Sequence, residues 1–354
     1  MFKETIQSIL DGNSLSEKVA KQVMDQIMEG NATDSQIAGY LIALRMKGEV
    51  VDEIVGMVRS MREKSTKVNI DDDVFDTCGT GGDALSTFNI STLVSLVLAS
   101  CGVKVAKHGN RAVSGLCGSA DILEQAGVKI DLDPTQVAEC INRVGIGFIF
   151  AQRYHSAMRF VIGPRKELGV RTVFNILGPL TNPAGAKNQM LGVSDKKLGE
   201  ILIEVLRRLG SNHVIIVHGM DGLDEVSIST DTWMWELNDG EITNSVISPS
   251  ELGIQVSSLD KIQVKNSEES YKIFLDVLNG IKGSPQDAVV LNSAVALYAA
   301  NITESIEGGL SLARTSIEDG KVLQVLESLI DAVSYTHLRA HETEADLVCR
   351  LLLE

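Results

Sequence analysis

From about residue 70 onward, short β-rich runs alternate with helical stretches, and this order narrows the possible folds more than any other feature of the chain. The runs VFDTCG (74–79), VKVAKHG (103–109), IGFIF (146–150) and HVIIVHG (213–219) are separated by helical patterns such as 90–100, 134–144 and 198–210. Such alternation predicts an α/β unit whose mostly parallel central sheet is flanked by helices. The first 65 residues read differently. Ser14 with Glu17 and Thr33 with Gln36 fit the capping box ahead of amphipathic runs ending near Gly30 and Gly48, and a third helix is expected over 51–64. A small all-helical N-terminal domain, 1–68, beside a large α/β domain, 69–332, is therefore expected from a chain of 354 residues. The turn-rich segment FNILGPLTNPAGAKNQ (174–189) breaks the rhythm, and part of 170–190 is expected to join the helical domain.

Acidic side chains outnumber basic ones, 47 to 32, for a net charge of −15. The average surface repels nucleic acid and anionic membrane, so an anionic ligand must be caught by a local cluster. Cys78, Cys101, Cys117, Cys140 and Cys349 form no CxxC pair or finger-like spacing, and their odd number points to free thiols in a reducing compartment and away from zinc. No stretch of about 18 uncharged apolar residues occurs, and the N-terminal residues carry charge throughout, so a cytoplasmic protein is expected. SYTHLRAHET (334–343) resembles a translated sequencing-library adaptor. The natural protein is expected to end near Ala332, residues 333–354 are set aside as a non-native tail, and His337 with His341 is not read as a metal pair.

Three loops carry candidate chemistry. After VFDTC come Gly79, Thr80, Gly81, Gly82 and Asp83, and a helix follows with Asn89 as its expected N-cap. Backbone without Cβ next to a helix N-terminus suits phosphate, although the spacing is neither Walker A nor G-x-G-x-x-G; a ligand-free turn is the alternative. A second run ends in Lys107, His108, Gly109, Asn110 and Arg111, at the strand end where ligands of parallel sheets gather. A solvated basic face and a hydrogen-bonded structural histidine are the alternatives there. The third presents Asp221, Asp224 and Glu225 after an apolar run, which suits Mg2+ bound jointly with substrate phosphate, or else is a plain Asp-Gly turn. Trp233 and Trp235 sit at strand spacing and read as a packed sheet face, and Met24, Met28 and Met46 read as core or interface fillers.

Together these segments resemble the anthranilate phosphoribosyltransferase family, enzymes of tryptophan biosynthesis grouped with the class II nucleoside phosphorylases. The motifs are Gly79-Thr80-Gly81-Gly82-Asp83, Asn89-Ile90-Ser91-Thr92, Lys107-His108-Gly109-Asn110-Arg111, Gly118-Ser119-Ala120-Asp121, NILGPLTNP (175–183) and Asp221-Gly222-Leu223-Asp224-Glu225. The resemblance implies that Gly79, Gly82, Asp83, Thr87, Asn89, Ile90, Ser91, Thr92, the stretch Lys107, His108, Gly109, Asn110, Arg111, Ala112, Val113, Ser114 and Gly115, and Ser119 hold phosphoribosyl pyrophosphate. It implies anthranilate at Gly79, His108, Asn110 and Arg165, Mg2+ at Ser91, Asp224 and Glu225, and Lys107 and Arg165 as the catalytic side chains. A homodimer built through the helical domain is also implied. The chain departs from the family at Gly115-Leu116-Cys117, where members carry a lysine and a serine, and at Ser156, where a proline is frequent.

The implied reaction is attack by the arylamine nitrogen on C1 of the ribose with loss of pyrophosphate. The amine is neutral at physiological pH, so no base is needed and catalysis is positioning and electrostatic stabilisation. A pyrimidine nucleoside phosphorylase-like enzyme of the same fold is the alternative, disfavoured by residues 107–111 and the Asp224-Glu225 pair. A non-catalytic relative that binds nucleic acid is a further alternative, disfavoured by the net charge of −15.

Overall fold

In the computed structural model the described residues are 1–112 and 117–334. Val113, Ser114, Gly115 and Leu116 therefore lie outside them, as do His337, His341 and Cys349 of the tail. Four helices come first: α1 (Phe2–Leu10), α2 (Glu17–Met28), α3 (Asp34–Lys47) and α4 (Val51–Lys64). Thr33 and Gln36 form the expected reciprocal capping box on α3. The start of α2 differs from expectation, since Ser16 rather than Ser14 accepts the cap bond from the Val19 N–H. Ser14 sits too far ahead of a helix whose first residue is Glu17, and α1 is a further helix beyond the three expected.

The α/β domain then runs β1 (Phe75–Gly79), α5 (Ile90–Ser100), β2 (Val105–Gly109), α6 (Ser119–Gln125), α7 (Pro134–Val144), β3 (Ile146–Phe150), α8 (Ala151–Tyr154), α9 (Arg159–Leu168) and α10 (Phe174–Leu177). It continues with β4 (Asn188–Gly192), α11 (Lys196–Arg208), β5 (His213–Gly219), β6 (Thr232–Asn238), β7 (Glu241–Ile247), α12 (Ser267–Leu278), α13 (Ser284–Ala299) and α14 (Ile306–Glu318). Residues 321–334 are also helical, and Ala332 and Val333 are buried there. The strand order is β3-β2-β1-β4-β5-β6-β7. β1 to β5 run parallel, and β6 and β7 close one side as an antiparallel ribbon.

Both faces of the sheet are covered, which explains why β5 reads as a continuous apolar run. Ile215 and Val217 face a core shared with α5, α13 and α14, while Val214 and Ile216 face a second core shared with α11 and the N-terminal helices. Trp235 is buried in that second core and Trp233 lies at its margin, the packed sheet face expected of them. Val161, Phe174 and Leu177 of α9 and α10 belong to the same core, so the chain after β3 returns to the helical domain before entering β4. Met24 and Met28 fill it too, whereas Met46 is 78% exposed on α3 and fills nothing in this chain.

One buried acid ties the central strands to that return segment. Asp76 of β1 is fully buried; its Oδ1 accepts from the His108 N–H at 3.2 Å and its Oδ2 from Asn182 Nδ2 at 2.8 Å. Burial raises its pKa to about 6 despite the nearby Lys107 ammonium and these donors. An unfolded aspartate titrates at about 3.9, so the folded protein holds this proton to higher pH than the unfolded chain does. The stabilisation from the group is complete below about pH 4 and is lost as pH rises through 6, a change of about 3 kcal/mol. In denaturant titrations, the stability of wild type relative to Asp76→Asn is expected to fall by about that much between pH 4 and pH 7. A constant difference across that window would contradict the assignment.

Candidate active site

The strand order reverses at β1, which has β2 on one side and β4 on the other, both parallel to it. Crossovers leave the sheet in opposite directions there, and the crevice outside the strand ends is where open α/β sheets take their ligands. The glycine loop emerges at this point. Gly81 and Gly82 have φ of 62° and 79°, left-handed backbone that costs glycine nothing. Ala84 and Ser86 adopt φ of 60° and 53° without that freedom, each at about 1–2 kcal/mol. Their conformation is held from outside: Val264 N–H donates to the Ser86 carbonyl at 2.8 Å and Phe88 N–H to the Ile262 carbonyl at 3.1 Å. Thr87 bridges Gln263 in the same short pairing.

Beyond the loop, α5 begins with Asn89 in the N-cap position, but its side chain does not cap the helix. Its Oδ1 accepts from Thr92 Oγ1 at 2.6 Å, and its Nδ2 donates to the Cys117 carbonyl at 2.9 Å. Asn89 thus joins the helix start to the far end of the loop after β2. Beneath this turn lies Lys107, 1% exposed, within β2, the strand expected of the run 103–109. Its ammonium donates to the Thr77 carbonyl at 2.7 Å and lies 3.4 Å from Ser91 Oγ. Burial lowers its pKa, and the charges of Asp76 and Glu225 oppose that fall.

Three carboxylates meet the loop from above. Asp224 Oδ2 accepts from the Gly81 N–H at 2.9 Å, and a Cβ on Gly79 would stand 2.8 Å from the same oxygen. Burial, then the charge of Asp83, pushes Asp224 up to about 7. Glu225 is raised well above the usual carboxylate range by burial and by Asp224, while Lys107 and the Ser91 N–H pull it back. Asp83 Oδ2 is buried with no partner among the described residues. Such crowding of anions fits a divalent cation. Among the described residues no group of three His, Cys, Asp or Glu side chains is placed to hold a metal ion; Mg2+ needs few protein ligands, since it keeps waters and takes phosphate oxygens. Asp221 turns the other way, accepting from Ser227 Oγ at 2.6 Å and from Ser229, and so shapes the loop.

The remaining candidates line the other side. Asn110 Oδ1 accepts from Gln152 Nε2 at 3.2 Å, and Ser119 Oγ lies 3.4 Å from the Asn110 carbonyl. Arg111 is exposed and paired with Asp121 and Glu124, so its charge is already spent locally. Asp121 has a role the sequence reading missed: its Oδ2 accepts from both the Ala112 N–H, at 3.0 Å, and the Gly118 N–H, at 2.8 Å. His108 is buried with Nε2 unpartnered, and its ring centroid lies 5.2 Å from that of His155. Burial drives their pKa values to about 3 and about 4, so both rings are neutral and form an aromatic wall. His155 was missed for want of any motif around it. Arg165 stands on α9 with its guanidinium 5.5 Å from the Phe174 ring, half-buried and without a carboxylate partner among the described residues. The turn that follows α10 reaches the end of β2, where the Gly178 carbonyl accepts from the His108 ring.

Comparison with known proteins agrees with this geometry in both halves of the chain. Residues 71–323 match the glycosyl transferase family, a/b domain, and residues 3–65 match its helical bundle domain. An anthranilate phosphoribosyltransferase of Acetivibrio thermocellus is 48% identical over 94% of this chain and 96% of its own length. That of Persephonella marina is 50% identical over 93% and 98%. Among solved structures, the Thermus thermophilus enzyme superposes with a TM-score of 0.88 at 39% identity, covering 93% of this chain and 99% of that one. The Saccharomyces cerevisiae enzyme in complex with phosphoribosyl pyrophosphate and Mg has a TM-score of 0.87 at 27% identity, covering 94% and 98%. Matched in both domains and alike along almost the whole length of these relatives, the chain belongs to the anthranilate phosphoribosyltransferase family.

Proposed function

We propose that the chain transfers the phosphoribosyl group of phosphoribosyl pyrophosphate to the amine of anthranilate, giving N-(5-phosphoribosyl)anthranilate and pyrophosphate, the reaction of its family in tryptophan biosynthesis. The observation that carries this reading is the crowding of three acids, Asp83, Asp224 and Glu225, at a glycine loop on the switch point of the sheet. Ser91, Asp224 and Glu225 would hold Mg2+, which when bound with the substrate neutralises the leaving pyrophosphate. The loop from Gly79 to Asp83, Thr87, the turn Asn89 to Thr92, residues 107–115 and Ser119 form the sugar-diphosphate side. Lys107 supplies a buried positive charge beneath it, of most use as negative charge gathers on the departing oxygen.

Arg165 offers an uncompensated planar fork for the anthranilate carboxylate. The neutral rings of His108 and His155 can pack the aromatic acid, with Asn110 and Gly79 beside it. The amine nitrogen attacks C1, the C1–oxygen bond to pyrophosphate breaks, and the nitrogen then loses its extra proton to water. No residue must remove a proton first. We further read the helical domain, residues 1–68 with part of 170–190, as a homodimer contact, supported by the exposure of Leu10 and Met46 on α1 and α3. Free Cys78, Cys101, Cys117 and Cys140 support a reducing, cytoplasmic setting, and among the described residues no helix is long and apolar enough to cross a membrane.

The direct experiment follows anthranilate fluorescence on adding phosphoribosyl pyrophosphate and Mg2+. A fall that EDTA abolishes is expected; no fall from folded protein, together with phosphorolysis of thymidine, would transfer the chain to the phosphorylase reading. Asp224→Asn with Glu225→Gln is expected to lose at least about a thousandfold in turnover, while the melting temperature stays level or rises as repelling buried carboxylates are removed. Wild-type turnover in that double variant would sink the metal assignment. Arg165→Ala is expected to raise KM for anthranilate by about ten- to a hundredfold, the worth of a charged hydrogen-bonded pair, with KM for the sugar donor little changed in the same initial-rate measurements.

A further inference from the structure

Arg171 has no role in the reading of the sequence, yet it grips the glycine loop by its carbonyls, while Asp224 takes the Gly81 N–H. Its guanidinium donates to the Gly81 carbonyl at 2.6 Å and to the Thr80 carbonyl at 3.3 Å. A Cβ on Gly82 would run into that guanidinium and displace it, and the φ of 79° independently favours glycine there. The backbone carbonyl of Arg171 in turn accepts from the guanidinium of Arg45, on α3 of the helical domain. In a trans peptide the C=O and the following N–H point in opposite directions. Holding the carbonyls of Thr80 and Gly81 therefore turns the N–H groups of Gly81 and Gly82 to the far side, and the Gly81 N–H is found there on Asp224.

We propose that Arg171 is a positioning residue: it presets the loop's backbone donors for the diphosphate and, through Arg45, ties their aim to the placement of the helical domain. The inference rests on the reaction proposed above. Arg45 on α3 bonds the Arg171 backbone and Arg171 bonds Gly81, so a shift of α3 relative to the sheet pulls on Arg171 and, through it, on Gly81. Burial lowers the Arg171 pKa, and the nearby charges of Asp224 and Asp83 oppose that fall.

The test uses the full chain with Arg171→Met, Arg171→Lys and Arg45→Met, initial-rate kinetics in both substrates, and calorimetric titration with Mg2+-pyrophosphate. Arg171→Met is expected to raise KM for phosphoribosyl pyrophosphate by about ten- to a hundredfold and to weaken pyrophosphate binding in step, with KM for anthranilate within about twofold. Arg171→Lys, with one point charge where the fork was, is expected to recover part of the loss. Arg45→Met, which removes only the tie to α3, is expected to raise the same KM several-fold. Unchanged donor KM and pyrophosphate binding in Arg171→Met would overturn the positioning role, as would equal losses for both substrates; Arg45→Met behaving as wild type would overturn the tie to the helical domain. Should Arg171→Met fail to fold, Arg171→Lys decides by the same two readouts. A wild-type enzyme that does not turn over would count against the reaction itself, and calorimetry would then decide the role of Arg171 alone.

Discussion

The cleft exists because β1 must hydrogen-bond in parallel to β2 on one side and to β4 on the other. A parallel neighbour on each side obliges the chain to leave by crossovers that diverge, and what they leave between them is an open strand end. The glycine loop, the start of α5, the end of β2 and the acidic loop after β5 all border that opening. None could be displaced without breaking a ladder that buries apolar side chains on both faces.

Within that opening the electrostatics are unbalanced in complementary ways. Asp83, Asp224 and Glu225 crowd together with one buried ammonium, Lys107, beneath them. Arg165 stands half-buried with no anion among the described residues. Desolvated charge of one sign is costly unless its counterpart arrives with a ligand, so both ends of the cleft are poised for groups the protein itself does not supply. The acidic surface of the whole chain does not oppose this, since the local charges act at short range and Mg2+ would screen the diphosphate.

Much of this was legible in the sequence because it is written in local pattern. Alternating runs predicted the parallel sheet, and β1, β2, β3 and β5 lie within a residue or two of the runs that announced them. What escaped depended on partners distant in sequence. β4 was hidden in a segment read as turns, because NQMLG is short and becomes a strand only when β1 and β5 flank it. Asp76, His155 and Arg171 bear no motif either; each acquires its place from a backbone group brought to it by the fold. Asp121 lies in the Gly118–Asp121 motif, but nothing local shows that it takes the Ala112 and Gly118 N–H groups. Lys107 lies inside the strand that its run announced, and what escaped was its burial: a strand ending at Gly109 carries it beneath α5. Asn89 was expected to cap α5, but Thr92 and the Cys117 carbonyl claim its side chain.

The double acceptance by Asp121 has a consequence for how this enzyme can diverge from its relatives. One carboxylate oxygen holds the N–H groups of Ala112 and Gly118, so the two ends of the intervening segment are pinned together whatever lies between them. Changes in length or composition there leave β2 and α6 in place, and doubling the length of such a segment costs only about 0.6 kcal/mol in closure entropy. Leu116 and Cys117, read from the sequence alone as a departure from the family pattern, fall between those pins. Asp121 thus makes the segment between its two partners an interchangeable part: it can vary while the frame that carries Lys107 and His108 stays fixed.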